Sequence, residues 1–152
     1  LYYCRDAVGV GVDISTEALK IAEENGQNLK ITDRVEWRQG DYLKAFDEED
    51  IFDGIFSNPP YIPTKDIGGL SREVKHEPRL ALDGGTDGLY FYHLLAKGAA
   101  EHLKPGGFLA VEFGIGQATD ILEMFRKSAQ YEDFEVIKDY GGIERALYCR
   151  KK

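Results

Sequence analysis

Apolar residues alternate with glycine near the start of the chain: Val8, Val10 and Val12 are separated by Gly9 and Gly11, and the run ends at Asp13. A period of two predicts a strand, and glycines between the valines predict that another group packs closely there. Ser15 then takes the place of a helix N-cap. Glu17 falls in the first turn, where a carboxylate favours the positive end of the helix dipole, and Ala18, Leu19 and Ala22 form an apolar face that weakens at Asn25-Gly26. Residues 35–38 read as a second short strand, closed by Gly40-Asp41. Residues 53–57, centred on Ile55 and Phe56, read as a third, which runs directly into Asn58-Pro59-Pro60-Tyr61, where proline ends any ladder.

From residue 62 to 88 no periodicity emerges. So long a stretch without regular structure inside a domain predicts a functional segment, here a substrate-binding or lid loop. Helical spacing returns with Leu89, Tyr92, Leu95, Ala96, Ala99 and Leu103, and Lys104-Pro105-Gly106-Gly107 reads as its stop. A strand over 108–113, a helix over 118–128 with Ile121, Leu122 and Phe125 on one face, and strands over 134–138 and 145–150 complete the pattern. Strands alternating with helices predict an α/β, doubly wound sheet. The short Gly141-Gly142 connection between the last two strands predicts an antiparallel hairpin at the C-terminal end.

Composition narrows the classes. The chain has 152 residues, 43% of them apolar, enough for one domain whose core needs neither disulfide nor metal. Lys and Arg number 19 against 27 Asp and Glu, a formal charge of -8, so no global positive field draws in a nucleic-acid backbone, and stable nucleic-acid binding is not expected. Cys4 and Cys149 belong to no CxxC pair, and the expectation is two buried thiols in a reduced compartment. His76, His93 and His102 do not have metal-ligand spacing, so no metal is expected. No apolar run approaches the roughly 20 residues of a membrane span, and no basic leader precedes an apolar segment, which predicts a soluble, cytoplasmic protein. The chain opens at Leu1 rather than a methionine and enters a strand within a few residues; the expectation is a fragment.

Ligands of open α/β sheets bind outside the carboxyl ends of the strands, and Asp13, Asp41 and Asn58 occupy such ends. An acidic residue there accepts hydrogen bonds from ribose hydroxyls, which makes Asp13 a nucleoside-binding candidate; a turn aspartate is the plain alternative. Asp41 and Tyr42 place a carboxylate and an aromatic face where a purine could lie, although Gly-Asp is also common turn chemistry. The Asn58-Pro59-Pro60-Tyr61 run is more specific. Two consecutive prolines make a rigid turn, so a planar NH2 group can donate one hydrogen to the Asn58 side-chain oxygen and the other to a turn carbonyl, that of Pro59. Both hydrogens held, the nitrogen is aimed at an electrophile. Tyr61 packs either against such a substrate or in the core. Glu73 and Glu77 are either a polar rim for a partner or a solvated charge cluster.

The NPPY tetrapeptide, residues 58–61, is similar to the signature of methyltransferases acting on planar NH2 nitrogens, shared by N6-adenine DNA enzymes and the HemK/PrmC glutamine methyltransferases. Downstream, Glu77-Pro78-Arg79-Leu80-Ala81-Leu82-Asp83-Gly84-Gly85, Asp87-Gly88-Leu89, Tyr92, Lys104-Pro105-Gly106-Gly107, Glu112 and Gly116-Gln117 resemble the HemK/PrmC pattern, over essentially the whole chain. The resemblance implies a Rossmann-like class I S-adenosylmethionine-dependent fold with an antiparallel C-terminal hairpin. It implies methylation of the glutamine amide in the Gly-Gly-Gln motif of class 1 peptide-chain release factors, with S-adenosyl-L-methionine as donor and S-adenosyl-L-homocysteine as product. Asp13 would bind the cofactor ribose and Asp41 and Tyr42 would flank the adenine, Asn58 also bordering the cofactor, while Asn58, Pro59, Pro60 and Tyr61 would hold the glutamine.

The family's first strand, glycine-rich loop and N-terminal helical domain have no counterpart in the sequence; Gly9-x-Gly11 lies within the following strand. The expectation is therefore a partial catalytic domain over residues 1–152, with a gap or a rearranged pairing between the strands ending at Asp13 and Ser57. Two other readings stay open: a nucleic-acid N6-adenine methyltransferase, which would flip its base into the same site, and an inactive binding module that kept the fold.

Overall fold

The valine and glycine alternation becomes β1 (Gly9–Asp13), paired in parallel with β2 (Val35–Gln39), in the computed structural model of the chain, which describes residues 1–72 and 74–152. The chain divides into two compact units, Leu1–Asp47 and Glu48–Lys152. The strands likewise fall into two sheets: β1 with β2, and a four-stranded sheet in which β3 (Phe52–Ser57), β4 (Leu103–Glu112), β6 (Glu144–Lys151) and β5 (Tyr131–Lys138) lie in that order. The strands ending at Asp13 and Ser57 thus belong to different sheets.

In the first unit, α1 (Thr16–Asn28) starts where the Ser15 side chain accepts the Ala18 amide at 3.2 Å. It does not stop at Asn25-Gly26. Gly26 is the buried residue of the helix, and a methyl group there would lie 3.5 Å from the Trp37 ring. Across the strand pair Gly11 stands opposite Trp37, and a side-chain carbon at Gly11 would come within 2.3 Å of the same ring. Gly11 is therefore small because Trp37 needs the room, while a methyl group at Gly26 would make an ordinary contact with the same indole. One Arg34 amino nitrogen gathers the segment before β1, donating to the carbonyls of Leu1, Cys4 and Ala7 at 3.0–3.1 Å.

The second unit holds most of the buried core. β3 and β4 are parallel, whereas β4 with β6 and β5 with β6 are antiparallel, so the predicted C-terminal hairpin is present. Asp139 closes its turn by accepting the amides of Gly141 and Ile143. One face of the sheet carries Ile55, Leu109, Val111, Leu147 and Cys149, all buried, together with Leu95 of α3 (Tyr90–Gly98) and Ile121 and Phe125 of α4 (Ala118–Lys127). Tyr92 donates its hydroxyl to the Glu112 carbonyl at 2.8 Å and Tyr131 to the Leu95 carbonyl at 3.2 Å, which satisfies both phenols inside the core.

Three expectations need correction. The α3 helix is shorter than its apolar spacing suggested: a 3-10 turn at Ala99–His102 takes over, and Leu103 already belongs to β4. Lys104-Pro105-Gly106-Gly107 is consequently no helix stop but a bulge in β4, where the pairing jumps from Phe52–Leu103 to Gly54–Phe108. Gly106 adopts φ +73°, a left-handed backbone that suits glycine, and its carbonyl accepts from Arg150 at 2.8 Å. Of the two thiols only Cys149 is buried, where desolvation pushes its pKa up to about 12; Cys4 is exposed. Among the described residues, the span 62–88 contains short helical turns, among them α2 (Arg79–Leu82), and an isolated bridge between Ile62 and Asp83. Among the described residues no helix is long and apolar enough to cross a membrane.

The uneven core has a measurable consequence. In the first unit Ile31 alone is a buried apolar side chain among the described residues, while β4 and β6 carry several that are almost fully covered. Backbone amides of β4 and β6 should therefore exchange with solvent far more slowly than those of β1 and β2. Leu109→Ala should lower stability by about 2–5 kcal/mol in denaturant unfolding, since Leu109 is fully buried.

Candidate functional site

Asp13 ends β1 and turns its carboxylate along the chain, where one oxygen accepts the Ser15 amide at 2.8 Å. The Asp13 carbonyl accepts the Gly40 amide at 3.0 Å, and this brings the turn after β2 to the end of β1. That turn is tight. A side-chain carbon at Gly40 would lie 2.4 Å from the Ala45 methyl, and Tyr42 takes φ +55° at the head of the 3-10 turn Tyr42–Ala45. Burial, helped by the carboxylates of Asp41 and Asp13, pushes the Tyr42 hydroxyl above its ordinary pKa. The three residues foreseen as nucleoside ligands are thus neighbours: a half-buried aromatic ring that feels the charge of both carboxylates. Asp41 also pairs with Lys44 at 2.5 Å, while the Asp13 carboxylate makes no ion pair with the described residues.

The second cluster forms where β3 ends at Ser57. Pro59 is completely buried, Pro60 and Tyr61 are half-buried, and Asn58 is exposed. The Asn58 carboxamide and the Pro59 carbonyl make no hydrogen bonds to the described residues. The Tyr61 ring packs against Gly114, where an added carbon would sit 2.9 Å from its Cδ2.

The turn is locked by the loop that follows it. Ile62 and Asp83 form a short parallel bridge, with the Ile62 amide donating to Leu82 and the Gly84 amide to Ile62. Asp83 accepts from the Thr64 hydroxyl at 2.6 Å and the Gly85 amide at 3.1 Å, and pairs with Arg79 at 3.2 Å. The Thr64 bond above all, then the Gly85 amide and Arg79, hold its carboxyl below the usual range against the opposing effect of burial. At Gly84 a side chain would meet the Pro60 carbonyl at 2.8 Å; at Gly88, which also has φ +77°, it would meet the Tyr61 carbonyl at 2.4 Å. Sequence reasoning gave Asp83, Gly84, Gly88, Gly114 and Gln117 no role. Asp83, Gly84, Gly88 and Gln117 do fall within the stretches that resemble the family pattern, which was the signal available for them.

Glu77 is exposed, and Glu73 lies outside the described residues. His102 faces the Asp50 carbonyl at 3.1 Å. No group of three or more metal-ligating side chains occurs among the described residues.

With both clusters placed, comparison with solved structures defines the class. A methyltransferase from Pyrococcus furiosus superposes with a TM-score of 0.67 at 24% identity, over 93% of this chain and 61% of that one. An RNA methyltransferase from Salinibacter ruber, in complex with S-adenosyl-L-homocysteine, superposes with a TM-score of 0.53 at 17% identity, over 97% and 68%. The fold is that of the class I methyltransferases, and the family model UPF0020, described as an RMKL-like methyltransferase domain, matches residues 4–66.

The sequence relatives narrow this further. Release factor glutamine methyltransferases from Moorella thermoacetica and Bradyrhizobium diazoefficiens are 40% and 46% identical, covering 99% and 95% of this chain but 53% and 48% of their own length. One from Synechocystis is 43% identical over 91% of the chain and 47% of its length. The chain belongs to this family, HemK/PrmC, and spans about half the length of the curated relatives it matches.

Gly88→Ala should lower stability by about 1–3 kcal/mol in chemical denaturation, because the new methyl group meets the Tyr61 carbonyl and the backbone is left-handed. Asp83 has a depressed folded pKa, so its contribution to loop order is fully present above its unfolded value near 3.9. It is lost as the pH falls through the lower folded value. An NMR titration should show the Thr64 and Gly85 signals constant from neutral pH to about pH 4 and moving only below it.

Proposed function

We propose that the full-length protein methylates the side-chain amide nitrogen of a glutamine in a peptide-chain release factor, using S-adenosyl-L-methionine. The observation that carries this reading is the turn at 58–61: an exposed carboxamide oxygen and a neighbouring carbonyl, unpaired with the described residues, on a backbone that two prolines keep from moving. A glutamine NH2 presents two hydrogens in one plane, and this pair of acceptors can take both. The names of the relatives supply the substrate class.

When bound, the cofactor supplies an electrophilic methyl group on its sulfonium. The chain's own residues fit such a ligand: the Asp13 carboxylate has capacity to accept ribose hydroxyls, and the half-buried Tyr42 ring near Asp13 and Asp41 offers a face for a purine. Asn58 and the Pro59 carbonyl hold the amide nitrogen and fix its orientation. As positive charge builds on that nitrogen their hydrogen bonds strengthen, which stabilises the transition state more than the ground state. An amide nitrogen is a weak nucleophile and no histidine or cysteine lies in the 58–61 turn. Catalysis then rests on positioning, an effect of up to about 7–11 kcal/mol when geometry is right.

Asn58→Ala in the full-length protein should reduce kcat on purified release factor by about a hundredfold or more, with cofactor affinity little changed. Asn58→Asp should cost less, since a carboxylate still accepts from NH2. Turnover of Asn58→Ala within a few-fold of the parent would defeat the assignment, and transfer to DNA or rRNA but not to release factor would move the substrate to an adenine amine. Asp13→Ala should weaken cofactor binding by about 1.5–3 kcal/mol in calorimetry.

A further inference from the structure

Gln117 stands at the N-cap position of α4, yet its side chain does not cap the helix. Residues at that position ordinarily turn their side chain onto the first free amides of the helix. The Gln117 carboxamide turns the other way and uses both N–H donors and one acceptor position toward the loop side. Its oxygen accepts the Gly114 amide at 2.8 Å, and its nitrogen donates to the Tyr61 carbonyl at 3.0 Å and the Gly88 carbonyl at 3.3 Å. The opposite orientation of the amide would set its oxygen against two carbonyls, so the chemistry of the neighbours determines which atom is which.

Three separate stretches meet at this one group: the turn at 58–61, the loop ending at Gly88, and the segment leaving β4. Two of them are glycine at the contact because nothing larger fits. A side-chain carbon at Gly88 would lie 2.8 Å from the Gln117 nitrogen, and one at Gly114 would lie 3.0 Å from the Gln117 oxygen. We propose that Gln117 is a positioning residue for methyl transfer: by holding the Tyr61 and Gly88 carbonyls together it sets where Asn58 and the Pro59 carbonyl present their acceptors. The hydrogen bonds of its carboxamide go to backbone groups of the chain itself. This inference rests on the function proposed above.

The test combines exchange and kinetics on the full-length protein. In the parent, the Gln117 side-chain NH2 protons should exchange at least about tenfold more slowly than those of the exposed Gln27; equal rates would overturn the proposal. Gln117→Glu keeps the oxygen that faces Gly114 but removes both donors. Exchange of the Ile62 and Gly84 amides should then accelerate about tenfold, and kcat on release factor should fall by about ten- to a hundredfold, with cofactor affinity within about twofold. Ile121→Val, a core change on the same helix, controls for general destabilisation: it should lower Tm while leaving kcat within about twofold. If kcat simply tracks Tm across both variants, or if Ile62 and Gly84 exchange as in the parent, Gln117 is only a structural residue. Should Gln117→Glu fail to fold, the exchange measurement on the parent still decides. A parent that binds cofactor but transfers no methyl to any release factor would sink the proposed function, while the exchange results would still stand or fall by themselves.

Discussion

Pro59 and Pro60 deprive the chain after β3 of two consecutive amide donors, and the local architecture follows from that loss. A strand ending in two prolines cannot extend its ladder, so its carbonyls must be satisfied, or left free, by something other than a neighbouring strand. The Tyr61 carbonyl is taken by Gln117, and Ile62 regains pairing through its bridge to Asp83. The carbonyl of Pro59 makes no hydrogen bond to the described residues. Gly84, Gly88 and Gly114 then become necessary, because the backbone that replaces the missing ladder approaches the turn to distances at which no side chain fits.

The first unit solves a different problem by a related device. Its sheet has two strands and little apolar burial, and its packing is organised around one large ring, Trp37, with glycine opposite it on β1 and in α1. Close packing on the indole fixes β1 against β2, and the Asp13–Gly40 hydrogen bond joins their carboxyl ends. Asp13, Asp41 and Tyr42 are thereby assembled from two strand ends 28 positions apart in sequence, counting from Asp13 to Asp41. Burial above all, then the negative charges of Asp41 and Asp13, makes the Tyr42 phenol resist ionisation, so it remains neutral.

Placing the chemical demand on geometry accounts for the character of the second cluster. An amide nitrogen gains little from a general base unless it is first held, and rigid acceptors hold it with the least reorganisation. Mobile side chains would serve poorly here. The loop residues around the turn are accordingly engaged with one another, Asp83 with Thr64 and Arg79, and Gln117 with three backbone groups, while Asn58 is left to face outward.

The element order, the antiparallel hairpin at Gly141-Gly142, the Ser15 cap and the tetrapeptide at a strand end were all legible in the sequence, since each depends on residues adjacent or a few positions apart. Local chemistry misled where a distant partner intervened. Gly26 reads as a helix breaker but is a contact surface for Trp37, and Lys104-Pro105-Gly106-Gly107 reads as a stop but is absorbed as a bulge once β3 pairs on both sides of it. The long aperiodic segment gave no pattern to read, because its order comes from single hydrogen bonds between positions as far apart as Tyr61 and Gln117. Composition and spacing by themselves determined which residues could carry the chemistry; the tertiary structure decided which of their polar groups are consumed in holding the backbone and which, at Asn58 and Pro59, make no hydrogen bond to the described residues.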